Sequence, residues 1–374
     1  VNRPARHLRA GAGWLQRSFD PWLLLGLLAL AGIGAAVLYS AGGGDPALVQ
    51  RHGLRLAIGL VLLVALAHVP PPLLRGVSPW FYAGSIALLV AVALFGVGRS
   101  ANHWLDLGII RFQPAEMVKL SLPMAMAWLL HAQPAPPRLL TVLQLLVLVA
   151  LPVLMIVKQP DLGTAVLVAA SGATVLFLAG LAWRWIVLAG AALAASAPVA
   201  WYFLQEYQRN RVRTFLDPEA DPLGQGWNII QSKIAVGSGG LHGKGFLQGT
   251  QSQLQYLPEH TTDFAVAVLA EEFGFVGMLV LFALCLLVGA RALWIATGAR
   301  DSYARLLSGS LALTFLIYVC ANAAMVSGLL PVVGVPMPFI SYGGTSTVTL
   351  LAGFGIVMAV HRHQRRGVPR SGLG

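Results

Sequence analysis

Ten apolar runs follow one another along this chain, near residues 21–40, 54–70, 79–97, 115–131, 139–157, 162–181, 184–204, 264–290, 306–328 and 338–360. A run of about 17–25 such residues crosses the hydrocarbon core of a bilayer as a helix. Lipid offers no partner to a backbone N–H or C=O, so a spanning segment must satisfy those groups internally, which favours helices. The expected fold is an all-α integral membrane protein of ten transmembrane helices. Composition agrees, with 57% hydrophobic and 10% charged residues against about 25% charged in soluble domains.

An even number of spans puts both termini on one side. Arg3, Arg6, Arg9 and Arg17 precede the first run, and Arg362, Arg365, Arg366 and Arg370 follow the last. Basic residues near span ends mark the cytoplasmic side, so both tails are expected there. The net charge of +11 suits membrane topology; no basic patch interleaved with aromatics calls for nucleic acid. The first run is followed by many others and reads as an uncleaved span. The acidic residues show the opposite bias, which directs chemistry to the extracytoplasmic side. The expected organisation is a tail over 1–20, helices 1–7 over 21–204, an extracytoplasmic loop over 205–262, helices 8–10 over 263–362 and a tail over 363–374. A loop this long is usually functional. Within it the apolar spacing over 225–236 predicts an amphipathic helix at the outer membrane surface. Cys285 and Cys320 lie inside apolar runs, read as small core residues, and imply no disulfide framework. The histidines lack zinc-site spacing.

Charges inside spans are functional by default and usually paired. In "QPAEMVK" (113–119), Glu116 and Lys119 are three residues apart and share a helix face. They read either as a structural ion pair or as a pair lining a polar cavity. In "KQPDLGTA" (158–165), Asp161 suits a helix N-cap and equally a substrate contact. "NRVRTFLDP" (210–218) brings Arg211 to the outer surface.

The stretch "QSKIAVGSGGLHGKGFLQGTQ" (231–251) is rich in glycine and holds Lys233 and Lys244. Ser238 and Gly245 stand where a P-loop needs Gly and Ser or Thr, and His242 breaks the dinucleotide pattern. Two readings remain: a flexible turn, or a nest of backbone N–H groups for a phosphate, of which a polyprenyl-diphosphate headgroup is the membrane example. "PVVGVPMPFISYGGTS" (331–346) breaks the last apolar region. Such a break is either a loop-to-helix junction or the wall of a buried cavity.

"LPEHTTDFAVAVLAEEFGFVG" (257–277) places Asp263 at the mouth of a span, after Glu259 and before Glu271 and Glu272. Thr261-Thr262-Asp263 would serve as a cap. The spacing also lets Glu271 lie on nearly the face of Asp263, two turns deeper. The alternative to a cap is a carboxylate acting as general base beside a phosphate-binding surface.

These blocks, with "PMPFISYGGTS", resemble in order and over nearly the whole chain the signatures of the SEDS family of shape, elongation, division and sporulation proteins. The short tails resemble the elongation member more than the division one. The family usually has serine where this chain has Ala115. The resemblance implies a peptidoglycan glycosyltransferase that polymerises lipid II outside the cytoplasmic membrane. It implies Asp263 as the essential carboxylate and Glu116–Lys119 as a cavity ion pair. The partners implied are a class B penicillin-binding protein, the crosslinking transpeptidase, and other membrane proteins of the elongation complex. The candidate substrate-binding residues are Arg111, Gln113, Asp161, Arg211, Lys233, Ser238, Gly239, Gly240, Lys244, Glu259 and Ser341.

A glycosidase needs two carboxylates because its leaving group is poor. A polyprenyl diphosphate leaves as a stable anion and needs charge neutralisation, from Lys, Arg, backbone N–H groups or a divalent cation. Mg²⁺ or Mn²⁺ remains open as a cofactor. Only the acceptor hydroxyl needs a base, a role that falls to Asp263 with inversion at the donor anomeric carbon. The rival reading is a lipid II flippase, since intramembrane charges and a broken helix also suit a transporter.

Overall fold

A helix stands on each of the ten apolar runs in the computed structural model, which describes residues 19–96, 104–106, 111–221, 224–254, 256 and 259–366. They are α1 (Pro21–Ala41), α2 (Pro46–Ala67), α3 (Pro71–Phe95), α4 (Pro114–Leu130), α5 (Leu139–Val157), α6 (Leu162–Leu178), α7 (Trp183–Phe203), α11 (Ala265–Thr297), α12 (Ser302–Val326) and α13 (Gly344–Arg366). The connection between α7 and α11 carries α8 (Glu206–Leu216), α9 (Gln225–Ser238) and the single turn α10 (Thr250–Gln253). Seven helices, α1, α2, α3, α5, α11, α12 and α13, are long and apolar enough to cross a membrane. The chain is a multi-pass helical membrane protein. Among the described residues the strands are one antiparallel pairing of two residues each, β1 (Leu105–Asp106) and β2 (Arg111–Phe112).

Backbone chemistry rather than hydropathy sets several helix limits. The second helix starts at Pro46, ahead of the apolar run, because Asp45 accepts a hydrogen bond from the Ala47 N–H at 2.8 Å and proline occupies the first helical position. Likewise α3 begins at Pro71 and carries Pro79 inside it. The last helix begins at Gly344 instead of 338, since residues 331–343 form an irregular connection. The tail boundaries at 1–20 and 363–374 fall largely outside the described residues.

Without a hydrophobic drive between helices in lipid, close backbone approach decides packing. Where α2 meets α13, a Cβ on Gly59 would stand 2.4 Å from the Leu351 side chain, and one on Gly355 would stand 2.7 Å from the Leu63 carbonyl oxygen. Helix α11 packs on α1, α12 and α9. The amphipathic helix expected over 225–236 is α9; Ile229, Ser232 and Ala235 are buried, and the Ser232 hydroxyl donates to the Val326 carbonyl at 3.0 Å. Cys285 is buried as expected, but Cys320 is exposed on α12. An apolar surface facing lipid accepts a thiol as readily as a core does.

Candidate active site

Helix α11 breaks at Gly274, which has φ 64° and ψ −158°. A break strands carbonyls on one side and N–H groups on the other, and at membrane depth they need protein partners. The glycine-rich stretch supplies them. Lys244 N–H and Gly245 N–H donate to the Glu271 and Glu272 carbonyls, each at 3.0 Å. In return Phe275 and Val276 N–H groups donate to the Gly240 and Leu241 carbonyls at 2.9 and 3.1 Å. Contact this close excludes side chains: a Cβ on Gly239 would lie 2.0 Å from the Ala270 oxygen, and one on Gly243, at φ 79°, 2.0 Å from the Glu272 oxygen. Side chains fasten the same junction. The buried Glu271 carboxylate takes Lys244 Nζ at 2.6 Å and the Gln251 N–H at 3.1 Å, and Glu272 is bound by the Ser40 hydroxyl. Here the glycines serve backbone closure.

Ahead of that junction a cavity of about 650 Å³ opens between the α4 and α6 starts, α8, the turn before α11 and the 331–343 connection. It is lined by Gln113, Glu116, Lys119, Asp161, Arg211 and Asp263 among the expected residues, and also by Trp104, Tyr207, Thr262, Gly334 and Tyr342. Glu116 and Lys119 are both buried and paired at 2.6 Å. Lys119 Nζ also lies 5.0 Å from the Tyr318 ring centroid. Asp161 both caps and faces the cavity: one oxygen accepts from the Thr164 N–H at 3.0 Å and the other from the Gln113 amide at 2.8 Å. Arg211 sits on the wall with its guanidinium 5.9 Å from the Tyr207 ring.

Asp263 is not the helix cap. Phe264 holds that position and makes no side-chain capping bond. Because Asp263 precedes the helix, the expected shared face with Glu271 does not form. Its backbone is clamped instead: Asn322, from α12, donates to the Asp263 carbonyl at 2.9 Å and to the Val335 carbonyl at 2.7 Å. The Tyr342 N–H reaches the Thr261 carbonyl at 2.8 Å, tying the broken connection to the same turn. Gly334 is at φ 73°, and a Cβ there would lie 3.5 Å from Asp263 Oδ2. Burial pushes the Asp263 carboxyl up to about 6; Glu259 and Asp161 push the same way, and Arg211 opposes them.

The remaining expected residues stand elsewhere. Lys233 is exposed on α9, and Ser238 donates to its own helix at the Ala235 carbonyl. Gly239, Gly240 and Lys244 belong to the α11 junction. Glu259 accepts from the Thr262 hydroxyl at the cavity edge. Ser341 is buried and accepts from the Met337 N–H at 2.9 Å. Arg111 is placed by its backbone in β2, and its side chain lies outside the described residues. Asn322, Tyr342 and Tyr207 were not singled out from the sequence. A lone amide within an apolar span was a legible signal for Asn322. Among the described residues no three His, Cys, Asp or Glu side chains converge as a metal site. Asp161, on the cavity wall, is a carboxylate of the kind that Mg²⁺ takes from protein when phosphates complete its shell.

A helical membrane protein with a polar cavity walled by carboxylates and cations is what this fold and site define. The chain belongs to the cell cycle protein family of FtsW, RodA and SpoVE, whose pattern matches residues 16–366. It is 51% identical over 354 residues to the peptidoglycan glycosyltransferase MrdB of Escherichia coli (strain K12), covering 94% of this chain and 96% of that one. It is 35% identical to the probable peptidoglycan glycosyltransferase FtsW of Trichlorobacter lovleyi, over 91% and 93% of the two chains. Among solved structures, a chain from a peptidoglycan synthase complex that coordinates polymerization and crosslinking superposes with TM-score 0.81 at 35% identity, covering 92% of this chain and 98% of that one. The rod shape determining protein RodA of Thermus thermophilus superposes with TM-score 0.71 at 30% identity, over 92% and 97%.

Proposed function

We propose that this protein is a peptidoglycan glycosyltransferase that polymerises lipid II, with Asp263 as general base. The supporting observation is the shared cavity: it gathers Asp263, Asp161, Arg211 and the Glu116–Lys119 pair in a chain half identical to MrdB over nearly its length. The acceptor sugar hydroxyl attacks the anomeric carbon of the donor MurNAc and gives its proton to the Asp263 carboxylate. The bond from that carbon to the diphosphate oxygen breaks, its electron pair leaves with the polyprenyl diphosphate, and the configuration inverts. A carboxylate with a pKa lifted toward neutrality is a stronger base than an ordinary aspartate.

Arg211 and Lys119 are the cations on the cavity wall, so diphosphate neutralisation falls to them; the candidates Lys233 and Lys244 do not line it. A Mg²⁺ or Mn²⁺ ion held by Asp161 and the diphosphate would add charge neutralisation there. In this reading all ten helices span the cytoplasmic membrane, both tails are cytoplasmic and the cavity opens outward. A class B penicillin-binding protein crosslinks the strands, within an elongation complex.

A lipid II flippase would use the same cavity, and the buried Glu116–Lys119 pair is a transporter-like feature. Lipid II supplied to purified protein in detergent separates the readings, because no membrane is left to cross. The polymerase makes glycan strands under these conditions. A protein that binds lipid II yet makes none would be the transporter.

A further inference from the structure

We propose that the opposite end of the helix bundle binds the phosphate of an anionic phospholipid. Asp263 precedes the start of α11. Beyond the far end of that helix, roughly 35 Å past its break at Gly274 at 1.5 Å per residue, lies a second cavity of about 480 Å³. It is formed where the first turn of α3, the α11–α12 connection and the last turns of α13 meet, and it shares no residue with the active-site cavity.

Its chemistry is that of a lipid headgroup pocket. Arg75, Arg300 and His363 line it, against one carboxylate, Asp301. Asp301 Oδ1 pairs with Arg75 Nη1 at 3.8 Å, a half-exposed ion pair without a hydrogen bond, which a phosphate oxygen would replace at the guanidinium. Asp301 is the N-cap of α12 but makes no side-chain capping bond, and Ala304 of that first turn lines the cavity. A helix start with no side-chain cap adds a partial positive charge to the two arginines. The remaining wall includes Pro71 and Pro72, and Leu73 and Val77 are exposed beside Arg75 on α3. A cationic pocket bordered by apolar surface fits a phosphodiester whose acyl chains run down the bundle. A soluble anion would have no use for that border. Basic pockets between spans at the cytoplasmic face are typical sites for anionic headgroups.

The test uses the full chain, purified and stripped of lipid in detergent. Phosphatidylglycerol, phosphatidylethanolamine and inorganic phosphate are added separately, with bound lipid read by native mass spectrometry and Tm by thermal unfolding. Phosphatidylglycerol is expected to bind wild type tightly and raise its Tm, and the other two to do neither. Each arginine near an anionic surface contributes roughly fivefold in affinity, so Arg75→Gln/Arg300→Gln should weaken the tight event on the order of 30-fold. Strand synthesis in detergent should be unchanged in that variant, because these residues lie far from the reaction. If the double variant does not accumulate, Arg300→Gln alone should show about a fivefold loss. Equal phosphatidylglycerol binding by wild type and variant overturns the proposal. Protection by inorganic phosphate equal to that by phosphatidylglycerol also overturns it, since the ligand is then a soluble anion.

Discussion

The side-chain amide of Asn322 donates to the backbone carbonyl of Asp263 at 2.9 Å. The same nitrogen holds the Val335 carbonyl at 2.7 Å, so one buried amide fixes the turn carrying the proposed base to the connection that walls the cavity. Asn322→Leu removes both bonds and leaves two carbonyls without that donor, at about 1–3 kcal/mol each. Thermal unfolding should register the loss. If Asn322 positions Asp263, kcat falls with little change in KM; equal effects on both would make it a general packing residue.

The junction at Gly274 makes a different prediction. Gly243→Ala places a Cβ 2.0 Å from the Glu272 carbonyl oxygen at a residue with φ 79°. That combination of strain and clash should unfold the junction and prevent accumulation of folded protein. Lys244→Ala should lower Tm, because it leaves the fully buried Glu271 carboxylate without its cation. In folded Lys244→Ala protein, lipid II affinity should stay near wild type. A selective loss of lipid II binding with unchanged Tm would return Lys244 to the substrate site.

These residues also mark where the sequence stopped being legible. Each apolar run coincides with a helix, seven of them long and apolar enough to cross a membrane, because run length is a local property. Glu116 and Lys119 were legible as a pair because three residues on one helix fix their geometry. Whether Lys244 meets a phosphate or Glu271 depends on how a loop folds back on a helix broken at Gly274. Nothing in the local pattern distinguishes a glycine that admits a ligand from one that admits a backbone. Asp263 had the same ambiguity between cap and base. The structure removes the cap reading, because Phe264 takes the cap position while Thr262 and Asp263 line the cavity; the base is the proposed role.

For the Glu116–Lys119 pair, both side chains are more than nine-tenths buried and 2.6 Å apart. Removing one partner leaves a buried charge uncompensated at about 3–5 kcal/mol. Glu116→Gln and Lys119→Met should therefore each lose more thermal stability than the double variant. Three equal unfolding curves would place the pair in contact with water.

The pH profile follows from the raised Asp263 carboxyl. A general base works deprotonated, so kcat/KM should rise about tenfold per pH unit below about 6 and level off above it. Stability moves the other way. The fold favours the protonated form, so the contribution from this group is present in the acid range and is lost as pH rises through about 6. Asp263→Asn cannot ionise and should unfold at a temperature equal to or above that of wild type at pH 8. A lower Tm for the Asn variant at that pH would mean that the carboxylate is structurally required.

The most direct test compares wild type and Asp263→Asn on lipid II supplied in detergent, with glycan strands as the readout. Asparagine keeps the size and the backbone clamp to Asn322 but cannot accept the acceptor proton. Strand synthesis should fall by roughly 10²–10⁴-fold, with lipid II binding and transpeptidase association retained. Strand synthesis by Asp263→Asn within a few fold of wild type would contradict the assignment of Asp263 as the base.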